Sequence, residues 1–108
     1  MNDVTIRKGN IFGKGVFAKR DFKKGEIVIL YTLRKLTEKE FHDLPKKEKN
    51  FVHKHWGTYY LYSIPERYVN DSSNQNTLQN LKVRCDVAIR DIKKGEEITT
   101  DATKDNIQ

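Results

Sequence analysis

A single cysteine in 108 residues excludes two chemistries at once. Cys85 has no intrachain partner for a disulfide, and one thiol cannot build a four-thiolate zinc centre. Such a chain suits a reducing compartment. No apolar run reaches the length that spans a bilayer, and the N-terminus carries no long apolar stretch. The expectation is a soluble, intracellular protein without a membrane partner. Flexible linkers and low-complexity tracts are lacking as well, so residues 1–108 read as one domain.

Apolar residues are scarce at 36 %, and charged residues are abundant at 33 %, which predicts a thin core of modest stability. The apolar residues do cluster, at Ile27 to Leu30, Tyr59 to Tyr62 and Val83 to Ile89. Long basic runs are also missing. The formal charge of +6 comes from 21 Lys and Arg against 15 Asp and Glu. An excess of that size attracts phosphate, anionic membranes or acidic proteins, but dispersed lysines that keep a small domain soluble are the favoured account.

What the chain does contain is a near-repeat. Residues 18–27 read AKRDFKKGEI and residues 88–98 read AIRDIKKGEEI, the two alanines lying 88 − 18 = 70 positions apart. Each copy predicts a strand, a charged turn, and an apolar exit strand. Gly25 and Gly95 fit the bend because glycine accepts positive φ without a Cβ clash. Further strands are predicted at Val4 to Arg7, Ile27 to Leu36 and Leu81 to Arg90. The last alternates apolar and polar residues, with Cys85 on its apolar face, so Cys85 reads as a core residue and not a nucleophile. Thr37 and Glu40 make a capping-box pattern, Pro45 opens a second helix, and Lys46 to His55 follows as a polar surface helix. A helical insert is thus expected at about 37–55. Asn70 to Asn80, rich in Asn, Ser and Gln, reads as a loop. The fold class is mostly β (β+α).

Two nucleotide-binding readings fail. Gly9 to Gly15 is one residue short of a phosphate-binding loop, and Gly15 stands where Ser or Thr would hold magnesium. The dinucleotide fingerprint needs a helix after its glycines, and here another strand follows. What survives is a pair of glycines that lets backbone pass close to a ligand, followed by Val16 and Phe17.

GKGVFAKRDFKKGEIV resembles the opening of SET domains, where G-x-G-x-[FV]-A precedes a charged turn and G-E-x-[IV]. RYVNDSSNQN, from Arg67 to Asn76, resembles the family's R-[FY]-[IV]-N-H-S-x-x-x-N loop. AIRDIKKGEEITTD resembles A-x-R-D-I-x-x-G-E-E-[IL]-T-x-D. The three blocks stand in the family's order and frame almost the whole chain. The resemblance implies a fold of small curved β-sheets, with a knot-like C-terminal crossing over the Asn-containing loop and a short helical insert. It implies an S-adenosylmethionine-dependent protein-lysine N-methyltransferase acting on a protein or peptide that bears the lysine. Lys14 and Gly15 are then expected to offer backbone groups to the cofactor, with Phe17 nearby. Asn70 is expected to accept from its amino group, and Arg67 to reach its carboxylate. Asp71, standing where the family usually has His, belongs to the same cofactor-binding loop. A narrow apolar channel favours the neutral lysine amine by desolvating the ammonium. Tyr59, Tyr60 and Tyr62 precede the Asn loop as channel tyrosines do in relatives, and Tyr60 is the chosen one; packing on a strand accounts for alternating tyrosines too.

The resemblance breaks at the end. The family's third block usually closes on Asp-Tyr, whose hydroxyl enters the channel, and here Asp101 is followed by Ala102. No cysteine-rich segment follows to close the site, so a second copy of the chain, a longer protein, or an open slow channel is expected. A homodimer is compatible with so small a domain. Local acidic relief for a lysine-rich substrate is expected from Glu96, Glu97 and Asp101. Two other functions compete: a catalytically silent SET-like binding module, and a nucleic-acid-binding β-domain suggested by the charge, Trp56 and the tyrosines. The charges do not cluster around the aromatics, so nucleic acid is not the expected ligand. His53 and His55 could share a strand face as metal ligands, but no carboxylate or thiol sits at helpful spacing. They read as surface histidines, and no metal is expected.

Overall fold

The computed structural model describes residues 3–101, within which ten short strands fall into three small sheets. β1 (Val4–Lys8) and β2 (Lys14–Ala18) form an antiparallel hairpin. β10 (Glu97–Thr100) lies along the other edge of β2, antiparallel to it, and runs parallel to the two-residue β7 (Asn70–Asp71). The order is therefore β1-β2-β10-β7, with the C-terminal strand crossing between the opening hairpin and the Asn-containing stretch. A second sheet is ordered β3 (Ile27–Leu30), β9 (Cys85–Ala88), β8 (Thr77–Asn80). A third is ordered β4 (Arg34–Leu36), β6 (Thr58–Leu61), β5 (Val52–His55).

The two copies of the repeat pack on each other. Phe22 and Ile92 form an isolated antiparallel bridge. Gly25 N–H donates to the Ala88 carbonyl and Gly95 N–H to the Ala18 carbonyl, both at 2.8 Å. Lys24 N–H donates to the Asp91 carboxylate at 2.9 Å, and Lys94 N–H to the Asp21 carboxylate at 2.7 Å. Arg20 pairs with Glu26, and Arg90 with Glu96, inside their own turns. Val16, Phe22, Ile92 and Ile98 are all but inaccessible beneath this pairing and belong to one core cluster with Val28, Ile29 and Tyr31.

Four expectations about elements change. Ile27 to Leu36 is two strands, β3 and β4, in different sheets. The capping box forms, with Thr37 Oγ1 accepting from Glu40 N–H at 3.1 Å and Glu40 accepting from Thr37 N–H at 3.0 Å. It starts α1 (Glu38–Asp43). α2 (Lys46–Lys49), however, stops after four residues, and Val52–His55 is a strand because it pairs along β6. The predicted strand from Leu81 is a turn as far as Arg84. Asn80 Oδ1 accepts from Lys82 and Val83 N–H groups at 3.1 Å, an Asx turn, and Arg84 sits at φ 62. Asn70 to Asn80 is not simply a loop, since it contains β7 and β8. Its polar residues Asn76 and Thr77 are buried with partners. Asn76 accepts from Thr99 N–H at 2.9 Å and donates to the Glu97 carbonyl at 2.8 Å, while Thr77 Oγ1 donates to the Thr99 carbonyl at 2.7 Å.

No helix among the described residues is long and apolar enough to cross a membrane. Cys85 is buried on β9, and burial with the neighbouring Asp86 pushes its thiol above the ordinary range. That environment keeps the sulfur protonated, as a core residue requires.

Candidate functional site

The three sequence blocks meet where the opening hairpin, β7 and β10 adjoin. Asn70 lies on β7, held in register with Thr99. Its amide nitrogen donates to the Phe12 carbonyl at 2.9 Å, the Lys14 carbonyl at 3.2 Å and the Glu97 carboxylate at 2.9 Å. The second oxygen of Glu97 accepts from Asn10 N–H at 2.7 Å. Glycine is required where this carboxylate arrives. A Cβ on Gly15 would lie 2.5 Å from Glu97 Oε2, and one on Gly9 would lie 2.8 Å from Asn70 Nδ2. Gly13 differs: it turns the hairpin at φ 44, with nothing near a Cβ.

Beside this junction opens a cleft of about 330 Å³, walled in part by Tyr31, Tyr62, His53 and His55 and floored by Glu66 and Asp86. The Tyr31 and Tyr62 rings lie 5.9 Å apart, and His53 lies 4.4 Å from Tyr62. Gln79 Nε2 donates to the Tyr62 hydroxyl at 2.8 Å, and His55 Nε2 faces the same hydroxyl at 3.1 Å. Tyr31 donates to the buried Asp86 carboxylate. Burial first, and then the charge of Asp86, holds the Tyr31 phenol far above its ordinary pKa, so it remains a donor. Desolvation by the cleft walls lowers both imidazoles. Asp71 works against the shift at His53, and His53 adds to it at His55. Neutral rings result near neutral pH.

Lys14 is exposed, with its ammonium 5.2 Å from the centre of the Tyr68 ring. Gly15 and Phe17 are buried on β2, and the Arg7 guanidinium covers the Phe17 ring at 4.1 Å. Asp71 is exposed at the cleft rim. Arg67 borders the cleft, but its donors are occupied. Its two terminal nitrogens fork onto Glu48 at 3.1 and 3.2 Å, its Nε donates to the Tyr62 carbonyl at 2.8 Å, and its plane stacks on Phe51 at 4.3 Å. The residue expected to reach a cofactor carboxylate thus ties α2 to the cleft.

Tyr60 is buried on β6, with the Arg84 guanidinium 5.5 Å over its ring, and the tyrosines that line the cleft are Tyr31 and Tyr62. His53 is exposed, as expected, and His55 is half-buried, and β5 brings both to the border of the cleft. Among the described residues no three His, Cys, Asp or Glu side chains are grouped as metal ligands are. The acidic residues that line the cleft are Glu66, Asp71 and Asp86, whereas Glu96 pairs with Arg90 and Glu97 accepts from Asn10 N–H in the hairpin. Asp86 alternates with apolar neighbours on β9 and so reads as solvent-facing in the sequence, but it is 1 % exposed. Glu66 lies just outside the second block, where no pattern marks it. Ala102 lies outside the described residues.

A family model for the SET domain matches residues 13–101. The variant-silencing SET domain-containing protein of Plasmodium falciparum (isolate 3D7) is 29 % identical over 119 residues, covering 92 % of this chain and 5 % of that protein. This chain therefore spans a small fraction of that relative's length. The crystal structure of a Plasmodium falciparum protein provisionally described as a histone methyltransferase superposes with a TM-score of 0.70 at 20 % identity, covering 92 % of this chain and 91 % of that one. A humanized mutant of the Chaetomium thermophilum Polycomb Repressive Complex 2, bound to an inhibitor, gives a TM-score of 0.71 at 25 % identity, over 96 % of this chain and 15 % of that one. With the family model spanning most of the chain and the crossing of β10 between β2 and β7, this protein belongs to the SET domain family.

Proposed function

We propose that this chain is a protein-lysine N-methyltransferase domain that uses S-adenosylmethionine. The observation that carries the reading is the junction of Asn70 with the opening hairpin, through the carbonyls of Phe12 and Lys14. The residues there fit both polar ends of the cofactor. The Glu97 carboxylate and the Asn70 carbonyl are acceptors for an ammonium, and the exposed Lys14 is a donor for a carboxylate. Gly9 and Gly15 keep side chains off the backbone at that point. When bound, the cofactor supplies a methyl group on a sulfonium whose sulfur retains the bonding electron pair. The lysine nitrogen attacks with its lone pair, so it must first lose a proton. The chain's own part is to orient and desolvate that nitrogen. Tyr31 and Tyr62 present ring faces along the cleft, with hydroxyls fixed by Asp86 and Gln79. The descriptions of the structural neighbours support a protein substrate.

The competing reading is a silent module that binds lysine without methylating it. The carboxylates of Glu66 and Asp86 favour it, because they stabilise a charged amine over a neutral one.

Calorimetric titration with S-adenosylmethionine tests the first reading. Saturable binding that Asn70→Ala abolishes and salt barely changes is expected, followed by methyl transfer to lysine peptides. Binding without transfer would move the silent module into first place.

A further inference from the structure

The segment from Arg34 to His55 carries seven Lys and Arg against four Asp and Glu, so 7 − 4 = +3, half of the chain's excess of +6. Three of its carboxylates are held in ion pairs, Glu40 by Arg34, Asp43 by Lys39, and Glu48 by Arg67 from outside the segment. Lys35, Lys46, Lys47, Lys49 and Lys54 have no ion-pair partner among the described residues. Spread along the sequence, these lysines are gathered by the fold around aromatic rings. Phe41 of α1 and Tyr59 of β6 lie face to face, with centroids 4.3 Å apart and planes 5° from parallel. Lys49 of α2 lies 5.5 Å from the centre of the Phe41 ring, and Lys54 of β5 lies 5.2 Å from that of Tyr59.

Trp56 stands at the tip of the hairpin that carries Lys54 and Tyr59. His55 pairs with Thr58, so Trp56 and Gly57 form a two-residue turn, at φ 51 and φ 79. Such a turn favours Asn, Asp or Gly at both places, and a bulky side chain at positive φ is strained. Burial offers no compensation, because Trp56 is 62 % exposed. A large ring held in solvent, where a smaller residue would fold more easily, points to something that covers it.

We propose that this face binds single-stranded nucleic acid, with a base stacked on Trp56 and phosphates taken by the lysines of β5 and α2. Each nucleotide supplies the two things the face matches, a flat ring and an anion. An acidic peptide answers the lysines but leaves the indole unmatched, and a duplex keeps its base faces inside its own stack. Lys46, Lys47 and Lys54 are exposed and free to reach phosphate oxygens. None of Phe41, Lys49, Lys54, Trp56 and Tyr59 lines the cleft, so this surface is independent of the methyltransferase reading.

Trp56 is the chain's only tryptophan, so its fluorescence reports the contact directly. The whole chain is titrated with a single-stranded oligothymidylate of about twelve nucleotides, and in parallel with a duplex, inorganic polyphosphate and oligoglutamate. Saturable quenching by the single strand is expected, with an affinity about fivefold or more above that of the duplex. Polyphosphate and oligoglutamate, which carry charge without bases, should leave the fluorescence unchanged. Between about 50 and 200 mM potassium chloride, log affinity should fall against log salt with a slope of about −2 to −3, as three to four phosphate contacts require. Trp56→Asn should raise the urea midpoint, because Asn suits the turn, yet weaken binding of a labelled strand about fivefold or more. Lys46→Gln, Lys47→Gln and Lys54→Gln together should weaken it about tenfold or more, and removing Lys23, Lys24 and Lys94 in the same way about threefold or less. Absent quenching, an equal response to the duplex, polyphosphate or oligoglutamate, parental binding by Trp56→Asn, or equal losses in the two lysine variants would overturn the proposal. Should Trp56→Asn fail to fold, the probe comparison and the lysine variants decide.

Discussion

Phe22 and Ile92 face each other across the sequence repeat, each donating its N–H to the other's carbonyl at 2.8 Å. Each charged turn therefore closes against the other copy. The glycines of the two turns lie at φ 93 and φ 94, and no atom lies within 4 Å of a Cβ added at either. The penalty for a side chain there is purely conformational. Gly25→Ala and Gly95→Ala should each destabilise by about 1–2 kcal/mol, and equally, in urea unfolding. A large cost at one glycine and none at the other would show that the copies are not equivalent.

Gly15 tests something different, since its constraint is space. Its Cβ would meet Glu97 Oε2 at 2.5 Å, so Gly15→Ala must displace the carboxylate from Asn70 and Asn10. The expected loss is about 1–3 kcal/mol. Adding Glu97→Ala should cost much less in the Gly15→Ala background than alone, because the displaced contacts are already gone. Strict additivity in the double-mutant cycle would disprove the contact.

What the sequence disclosed was local or repeated. The Thr37 and Glu40 capping box could be read because its partners are three residues apart, and the turns because they occur twice. Their mutual packing could not, since copies seventy positions apart carry no signal of proximity. Asn76 and Thr77 read as loop residues on composition, yet the backbone groups of β10 satisfy them and allow burial. Tyr60, singled out among Tyr59, Tyr60 and Tyr62, is buried on β6, while Tyr62 and Tyr31 border the cleft, which shows the same limit. Which tyrosine lines a cleft depends on how three sheets meet, and strand alternation reports only which face of its own sheet a residue occupies.

Asn76 itself gives a prediction. Replacing it with Ala would strip partners from the buried Thr99 N–H and from the Glu97 carbonyl. The variant should lose about 2–4 kcal/mol in urea unfolding. A loss below about 0.5 kcal/mol would mean that water replaces both bonds.

The two cleft histidines should make stability depend on pH. Both are held below the ordinary imidazole range, chiefly by desolvation, while the unfolded chain titrates near about 6.5. The folded state then binds fewer protons, so their contribution is complete above about pH 6.5 and is lost as pH falls through the folded values. His53→Gln with His55→Gln should flatten the stability profile between about pH 7.5 and pH 5 relative to the parent. Parallel profiles would refute the assignment.

Arg67 offers a test that separates structure from cofactor binding. Its side chain is 11 % exposed, with a fork on Glu48, a bond to the Tyr62 carbonyl, and its plane against Phe51. Lysine keeps the charge but can reproduce neither the fork nor the stacking. Arg67→Lys should therefore destabilise the chain by about 1–3 kcal/mol in urea unfolding. Measured well below the unfolding midpoint, its S-adenosylmethionine affinity should match that of the parent. The opposite pattern, unchanged stability with cofactor affinity reduced tenfold or more, would mean that the guanidinium leaves Glu48 to meet the cofactor's carboxylate. Arg67 would then return to the binding residues, and α2, released from its anchor, would be expected to shift whenever the cofactor binds.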